Sequence, residues 1–284
     1  MMMTRWQLAH GRYLDLGRKA MVMGILNVTP DSFSDGGRFD VPERALAQAR
    51  RMMEEGAAII DIGGESTRPG ATAVSLAEEQ ARVLPIIEAL AKESDVLLSI
   101  DTYRAETARL AVEAGAHIIN DVWGLQREPE IAGIAMQTGA GLVLMHTGRG
   151  REKVPDIIAD QLAFLGKSVE IARQAGVPDA QIVLDPGFGF SKGVPEVDLA
   201  MMRRFEELHA LGFPLLVGTS RKRFVGALAG RPETADRVAA TAATSVILRM
   251  KGAQLFRVHD VAINVDELAV TDAVQAHECA EDEA

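Results

Sequence analysis

Polar side chains follow a series of short apolar segments along the chain, and their types suit the binding of charged or hydrogen-bonding ligands. These residues are, in chain order, Asn27, Asp61, Asp101, Asn120, His146, Asp185, the run Gly218-Thr219-Ser220-Arg221-Lys222, and the pair Arg257 and His259. A single Asn or Asp in such a place is usually a helix cap. Helix caps do not require lysine, arginine and histidine as well, so we expect these side chains to form one site.

One subset of these side chains suits an oxyanion. Arg68, Arg257 and His259 can donate charge-assisted hydrogen bonds to phosphate oxygens. Asn27 could add its amide oxygen, which is a ligand that hard cations accept. This subset predicts a phosphate or diphosphate site, with magnesium as a possible bridge.

A second subset mixes donors and acceptors. The carboxylates of Asp101 and Asp185 can each accept two parallel N–H bonds from an amidine-like edge. Asn120 can both donate and accept, and Lys222 can donate to a ring oxygen or nitrogen. The ligand that this subset predicts is a flat, aminated heterocycle.

Several common catalytic motifs are absent from the sequence. The histidines form no H-x-x-x-H or H-E-x-x-H pattern, and no G-x-S-x-G elbow occurs. Residues 187–191 are glycine-rich but lack the Gly-Lys-Ser/Thr ending of a nucleotide P-loop. The composition of the site therefore favours ligand positioning and electrostatics over a metal cluster or a nucleophilic serine.

These residues must be positioned by alternating strands and helices. The predicted strands span 21–26, 58–61, 96–100, 117–120, 142–145, 182–184, 214–217 and 254–258. The predicted helices span 42–55, 75–91, 105–114, 129–138, 157–175, 197–211, 235–250 and 261–274. Strands that are apolar throughout are typical of a parallel sheet covered on both faces. The pattern predicts an α/β fold, a (β/α)8 TIM barrel, with an open doubly wound sheet as the alternative.

The two ends of the chain differ from this pattern. Residues 5–9 and 13–16 flank His10-Gly11-Arg12, which predicts a short N-terminal hairpin at the bottom of the barrel. Residues 276–284 are rich in acidic residues and are expected to be a disordered tail. Residues 1–275 are then a single domain.

Charge and composition exclude some classes of partner. The formal net charge is −10, which argues against non-specific binding of nucleic acid. No apolar stretch approaches the roughly 20 residues that span a bilayer. The single cysteine, Cys279, indicates a reducing compartment, so we expect a cytoplasmic protein with neither membrane nor nucleic acid as a partner.

Long motifs carry a family resemblance. They are residues 24–37 (GILNVTPDSFSDGG), 61–70 (DIGGESTRPG), 99–102 (SIDT), 115–121 (GAHIIND), 144–146 (LMH), 185–190 (DPGFGF), 220–222 (SRK) and 257–260 (RVHD). Together they resemble the dihydropteroate synthases, a family of pterin-binding TIM barrels, over residues 21–260. The resemblance implies a transferase of folate biosynthesis.

The reaction that the resemblance implies joins 6-hydroxymethyl-7,8-dihydropterin diphosphate to p-aminobenzoate. It yields 7,8-dihydropteroate and pyrophosphate with Mg²⁺ as cofactor, by an SN1-like path, and sulfonamides inhibit it. The family is usually dimeric through the side of the barrel that corresponds to residues 235–274, so the resemblance also implies a homodimer.

The resemblance assigns roles to individual residues. Asp101, Lys222 and Asp35 would be catalytic, and Asn27 would bind the metal. The pterin diphosphate would contact Thr67, Asp101, Asn120, Met145, Asp185, Lys222, Arg257 and His259, with Val122 and Phe190 lining the pterin slot. The p-aminobenzoate would contact Phe33, Arg68, Pro69 and Ser220.

A few positions depart from the family pattern or have no evident role. Arg223 stands where some members have a serine that contacts the benzoate carboxylate. Residues 147–151 form an unusually basic loop, which we expect to be solvated. The sequence does not decide the roles of His146 and Trp123.

Two other functions would use part of the same residues. Methyl transfer from methyltetrahydrofolate to a corrinoid protein would use Asp101, Asn120 and Asp185 but would not need residues 220–222. A non-catalytic pterin-binding paralogue would be expected to have lost Asn27, Lys222 or Arg257, and all three are present.

Overall fold

The computed structural model describes residues 3–29, 41–65, 74–190 and 194–282. Five of the predicted site residues lie outside these ranges, namely Phe33, Asp35, Thr67, Arg68 and Pro69. The other predicted site residues lie within them.

A parallel eight-stranded sheet forms the centre of the molecule. Its strands are β3 (Met21–Asn27), β4 (Ile59–Gly63), β5 (Leu97–Asp101), β6 (Ile118–Asp121), β7 (Gly141–Met145), β8 (Ile182–Asp185), β9 (Leu216–Val217) and β10 (Leu255–Val258). Neighbours follow the order β8-β7-β6-β5-β4-β3-β10-β9. A bridge between Leu184 and Leu215 joins the two ends, so the predicted barrel is confirmed over an open sheet.

Helices cover the outside of the barrel. They are α1 (Val41–Glu54), α2 (Leu76–Glu93), α3 (Ala105–Glu113), α4 (Glu130–Thr138), α5 (Ile157–Gln174), α6 (Pro195–Arg203), α7 (Arg223–Ala229), α8 (Val238–Met250) and α9 (Val261–Asp282). Every residue of β4 and β7 is buried because the helices pack on one face and the barrel interior on the other.

Local sequence explains where some helices begin and end. Ser75 caps α2 by accepting from the backbone N–H of Glu78, whose side chain accepts from the backbone of Ser75 in return. The predicted helix over 197–211 is instead α6 followed by a 3-10 helix at Phe205–Leu211. Helix α7 was not predicted, because seven residues are too few to show a helical pattern.

The N-terminal hairpin closes the bottom of the barrel, as predicted. Strands β1 (Thr4–Gln7) and β2 (Tyr13–Leu16) pair antiparallel. Trp6 is 1% exposed and its indole Nε1 donates to the carbonyl of Gln181 at 2.8 Å. Trp6, Leu8 and Leu16 pack in one cluster with residues from the lower ends of the strands, among them Met23, Ile59 and Val143.

Helix α9 extends further than the sequence indicated. It runs to Asp282, beyond the predicted end at 274 and into the segment expected to be disordered. Residues 275–282 contain alanine and glutamate, which favour helix once a helix has been nucleated by packing upstream. Across the described ranges, none of the helices combines the length and the apolar character needed to cross a bilayer.

Candidate active site

The predicted polar residues in the described ranges meet at the carboxyl ends of the barrel strands. Asn27, Asp101, Met145 and Asp185 are the last residues of β3, β5, β7 and β8. The remaining five predicted positions at this end are Asn120 in β6, Ser220 and Lys222 after β9, Arg257 in β10, and His259 just after it. Parallel strands bring these residues to one mouth, which is where barrel enzymes carry their sites.

Arg257 lies at the centre of the mouth between two carboxylates. Its Nε donates to Asp61 Oδ2 at 2.6 Å, and its Nη2 donates to Asp101 Oδ2 at 2.6 Å. Asn120 Nδ2 donates to the same Asp61 oxygen at 3.1 Å. The predicted diphosphate and pterin subsets are therefore connected through Asp61, for which the sequence predicted no ligand role.

Burial perturbs the ionisable groups of the mouth. It raises the pKa of Asp101 to about 7, although the nearby Arg257 opposes the rise. It lowers the pKa of Lys222 to about 8, and the positive charge of Arg257 adds to that effect. Because burial disfavours either charge, both groups titrate close to neutral pH.

The turn at residues 220–222 directs Lys222 into the mouth. Arg221 has a left-handed backbone (φ 55°), which is uncommon for a side chain other than glycine. Its guanidinium holds Asp260 through two hydrogen bonds of 2.9 and 2.5 Å, and its backbone N–H donates to Thr241 Oγ1. These contacts stabilise a strained conformation, as is often found at functional sites.

An apolar wall lines one side of the mouth. Tyr103, Val122, Met145 and Phe190 form a buried cluster, with Trp123 packed against it. Lys222 Nζ lies 3.9 Å from the centre of the Phe190 ring, in a cation–π arrangement. A planar ligand could lie along these side chains while its polar edge reaches the carboxylates.

Two glycines allow the loop after β8 to lie close to the backbone of His146 and to the side chain of Lys222. Gly187 has φ 63°, and a Cβ there would lie 2.1 Å from the carbonyl oxygen of His146. Gly189 has φ 75°, and a Cβ there would lie 3.2 Å from Lys222 Cδ. Larger residues at these positions would displace either the β7 loop or Lys222 itself.

The side of the mouth predicted to bind the diphosphate and the metal includes His259 and Asn27, and Ser220 lies beside His259. Ser220 Oγ lies 2.9 Å from His259 Nδ1 and accepts from the backbone N–H of His259 at 3.0 Å. Ser220 therefore orients His259. A Cβ at Gly63 would lie 3.7 Å from both Asn27 Oδ1 and Asp101 Oδ2, so Gly63 lies close to both oxygens.

The arrangement combines cations for an anion with hydrogen-bonding groups for a heterocycle. Residues 23–259 of the chain match a family model described as pterin binding enzyme. The chain is 49% identical over 248 residues to the dihydropteroate synthase of Bacillus subtilis, covering 87% of this chain and 86% of that protein. The chain belongs to the dihydropteroate synthase family.

Solved structures of dihydropteroate synthases have the same fold. That of Xanthomonas albilineans with 4-aminobenzoic acid is 44% identical and superposes with a TM-score of 0.91, covering 96% of this chain and 99% of the other. That of Yersinia pestis in a sulfonamide drug complex is 43% identical, with a TM-score of 0.86 over 95% and 98%. The predicted family, fold and class of enzyme, a transferase, are confirmed.

Two features of the site were missed at the level of sequence. The first is the central position of Asp61. The second is a network in which Arg104 bonds Glu65 at 2.7 Å, Glu79 at 2.8 Å and the carbonyl of Val74 at 2.7 Å. Asp61 lies at a predicted strand end and begins the family motif at residues 61–70, but neither signal gave it a role, and Arg104 carries no comparable signal.

His146 and the basic loop after β7 have structural partners. His146 is fully buried, and its Nε2 lies 2.9 Å from Asp160 Oδ2 and 2.7 Å from Arg151 Nη2. Burial would raise the pKa of Asp160, but hydrogen bonds from Arg151 and the Val154 backbone hold that pKa well below its usual range. The expectation of a solvated loop was therefore wrong for Arg151, because its guanidinium pairs with the buried carboxylate of Asp160 at 2.6 Å.

Proposed function

We propose that this chain catalyses the dihydropteroate synthase reaction, the condensation of 6-hydroxymethyl-7,8-dihydropterin diphosphate with p-aminobenzoate. The observation that carries this proposal is the meeting of Asp101, Asn120 and Asp185 with Lys222 and Arg257 at one mouth. A related structure, that of the Xanthomonas albilineans enzyme with 7,8-dihydropteroate, is 41% identical with a TM-score of 0.87 over 95% of this chain.

The pterin ring would lie in the slot between the apolar wall and the carboxylates. Asp185 and Asp101 would accept its N–H groups, and Asn120 would accept through the oxygen that its bond to Asp61 leaves available. Lys222 would donate to a ring acceptor from its place over Phe190. Met145 and Val122 would contact the face of the ring.

Departure of the diphosphate would leave a cation delocalised over the electron-rich pterin. Arg257, His259 and Lys222 would stabilise the leaving negative charge, and the Asp101 carboxylate would stabilise the cation. The neutral amine of p-aminobenzoate can then attack the methylene carbon, and the resulting ammonium nitrogen loses its proton to water or to the departing pyrophosphate, so no strong general base is needed. This order of events is the SN1-like path, and Asp35 is proposed to assist Asp101.

Magnesium is proposed as the cofactor, and the donors fit it. Mg²⁺ is commonly held by one or two protein oxygens together with substrate phosphates and water. Asn27 Oδ1 offers such an oxygen beside Gly63, close to Asp101. Within the described ranges no group of three or more His, Cys, Asp or Glu could hold an ion by itself. When bound, the ion would neutralise charge on the departing diphosphate.

The p-aminobenzoate pocket is proposed to involve Phe33, Thr67, Arg68 and Pro69, which lie outside the described residues. Arg223 is the first residue of α7 and is exposed beside Lys222, where it could meet the benzoate carboxylate. Because sulfonamides resemble p-aminobenzoate, we propose that they inhibit this enzyme at the same pocket.

The decisive experiment measures pyrophosphate release from the pterin diphosphate with Mg²⁺, with and without p-aminobenzoate. We expect p-aminobenzoate to give dihydropteroate and added release. Slow release without it would support the SN1-like path, and complete absence of C–O cleavage without it would contradict that path. No dihydropteroate under any condition would refute the proposed function, and methyl transfer to a corrinoid protein would favour the alternative.

The proposed assembly is a homodimer in the cytoplasm. Helices α8 and α9 each expose apolar side chains at helical spacing: Ile247 and Met250 on α8, Val270 and Val274 on α9. These side chains are 44 to 67% exposed, which favours burial against a second copy. The single cysteine of the sequence supports the choice of compartment.

A further inference from the structure

Asp61 is a buried carboxylate with an unusual set of partners. It lies in β4, is fully buried, and its Oδ2 accepts from both Arg257 Nε and Asn120 Nδ2. Its other oxygen, Oδ1, is also buried and has no hydrogen-bond partner among the described residues.

The two bonds to Oδ2 determine what Arg257 and Asn120 present to a ligand. Nε and Nη2 of Arg257 are committed to Asp61 and Asp101, so the plane of the guanidinium is held by two carboxylates. The amide of Asn120 donates its Nδ2 to Asp61, so its oxygen is the group left to accept from the ligand. The Asp61 carboxylate thus orients both Arg257, which is proposed to bind the anion, and Asn120, which is proposed to bind the heterocycle.

The buried Oδ1 of Asp61 indicates that this residue does more than stabilise the fold. A buried acceptor without a partner carries a desolvation cost that a purely structural carboxylate avoids. Asp121, which is equally buried at the end of β6, shows the contrast. Its two oxygens accept from the backbone N–H groups of Trp123 and Leu125 at 2.8 and 2.6 Å.

We propose that Asp61 is a positioning residue that couples the pterin subsite to the diphosphate subsite by holding Asn120 and Arg257 through one oxygen. The proposal rests on the proposed function, because it assigns those two residues to the two parts of one substrate. Asp61 acts through its neighbours and takes no part in bond making or breaking.

The test compares Asp61→Asn with Asp121→Asn, using calorimetric binding of two probes to the intact chain. The probes are pyrophosphate with Mg²⁺, which reports Arg257, and 7,8-dihydropteroate, which reports Asn120. Loss of oriented, charge-assisted hydrogen bonds should weaken both probes by on the order of ten- to hundredfold in Asp61→Asn. In turnover, the KM for the pterin diphosphate should rise while the KM for p-aminobenzoate stays near wild type.

The control separates positioning from folding. Asp121→Asn should lower the melting temperature while leaving the affinity of the folded protein for both probes unchanged. Unchanged probe affinity in Asp61→Asn would overturn the proposal. So would tighter pyrophosphate binding, which would show that Asp61 merely competes with the anion for Arg257. Should Asp61→Asn not fold, Asp61→Ser keeps a smaller acceptor in place and is held to the same criteria.

Failure of the proposed function has a different signature. In that case the wild-type protein itself would neither bind dihydropteroate nor produce it. If wild type binds both probes and turns over, but Asp61→Asn matches it, the function stands and the coupling role of Asp61 does not.

Discussion

The ionisable residues of the mouth lie close enough to titrate as a set. Burial raises the pKa of Asp101 and lowers that of Lys222, and the positive charge of Arg257 lowers the pKa of both groups. Macroscopic pKa values of such a group belong to the set and not to one residue. The active protonation state of the mouth is therefore expected to be populated only over a narrow range of pH.

We expect a bell-shaped pH profile of kcat/KM for the pterin diphosphate. As pH rises through about 7, Asp101 loses its proton and becomes the carboxylate that the pterin and the cation require, so activity increases. As pH rises through about 8, Lys222 loses its charge and activity decreases. The measurement is steady-state kinetics over a range that brackets both values.

The control for this pH profile is Asp101→Asn. Its residual activity should lack the acidic limb and keep the basic one. A wild-type profile that is flat across neutral pH would show that neither group controls the reaction.

Asp185 offers a direct test of the pterin slot. It is 4% exposed, and its Oδ1 accepts from the backbone N–H of Gly187 at 2.7 Å, which fixes the orientation of the carboxylate. Asp185→Asn should weaken binding of 7,8-dihydropteroate by on the order of ten- to hundredfold, because a charged acceptor is lost. Isothermal titration measures the effect.

The matched control for the slot is Asp179→Asn, which removes an exposed carboxylate paired with Arg173. Its binding should equal that of wild type. The assignment fails if Asp185→Asn raises the KM for p-aminobenzoate as much as it weakens pterin binding.

At the scale of elements, the strands hold the predicted ligand-binding residues at the mouth. Networks of side chains hold the ends of the loops between the strands and the helices. Arg104, just before α3, bonds the side chain of Glu65, two residues after β4, and the carbonyl of Val74 just before α2. The two contacts lie on either side of residues 66–73, which include Arg68 and Pro69. One guanidinium thus holds both ends of the segment proposed to contact p-aminobenzoate.

Arg104→Gln should therefore raise the KM for p-aminobenzoate by roughly tenfold, because misplaced binding groups are costly for positioning. Glu79, which is 1% exposed and pairs with Arg104, would lose its counter-ion, so the melting temperature should also fall. Arg104→Lys should recover part of both losses.

Arg109→Gln, on an exposed part of α3, serves as the control and should change neither quantity. An unchanged KM in Arg104→Gln, at whatever stability, would show that the ends of this segment do not position the benzoate.

Helices α8 and α9 are joined by a buried ion pair. Arg249 is 2% exposed, contacts Asp272 at 2.5 Å, and also donates to the carbonyls of Gly17 and Ala253. Asp272→Ala should lower the free energy of unfolding by about 3–5 kcal/mol, because it leaves a buried cation without its partner. Urea unfolding measures this, and kcat should not change.

The exposed pair of Lys251 and Glu206 provides the comparison for this stability effect. Glu206→Gln should cost about 1 kcal/mol or less, as is usual for surface ion pairs. Equal effects of the two substitutions would mean that burial of Arg249 does not determine its contribution.

At the scale of the whole molecule, the mouth and the apolar faces of α8 and α9 are distinct surfaces. Met250 and Val270 are 61 and 67% exposed, so they do not pack in the core of their own chain. A second copy seated there would bury them without covering the ligand groups at the strand ends.

Val270→Asp should convert the proposed homodimer to a monomer, because a charge in an apolar interface is costly to bury. Sedimentation velocity measures the change, and Val154→Asp, at an exposed position in the loop before α5, is the control. A wild-type protein that sediments as a monomer at micromolar concentration would contradict the dimer.

The order of strands and helices could be predicted from the sequence because the spacing of apolar residues within each segment indicates its secondary structure. Fully apolar strands, the glycines between elements and the hairpin signal at residues 10–12 each concern neighbours in the chain. The polar residue at each strand end followed from the same pattern, so most of the mouth could be named in advance. The roles of all these residues in binding and catalysis remain predictions, and those at residues 33–35 and 67–69 also lie outside the described residues.

The tertiary structure decided which of these residues touch. Arg257 lies 196 positions from Asp61 and 156 from Asp101, and closure of the barrel brings all three within hydrogen-bond distance. Likewise, His146 and Arg151 turned out to share a buried carboxylate, and Arg104 to join two loop ends. Sequence determines which groups reach the mouth, since strand direction is local. Which of these groups form hydrogen bonds with one another depends on the closure of the barrel. Closure brings together residues far apart in the chain, so no local sequence pattern predicts it.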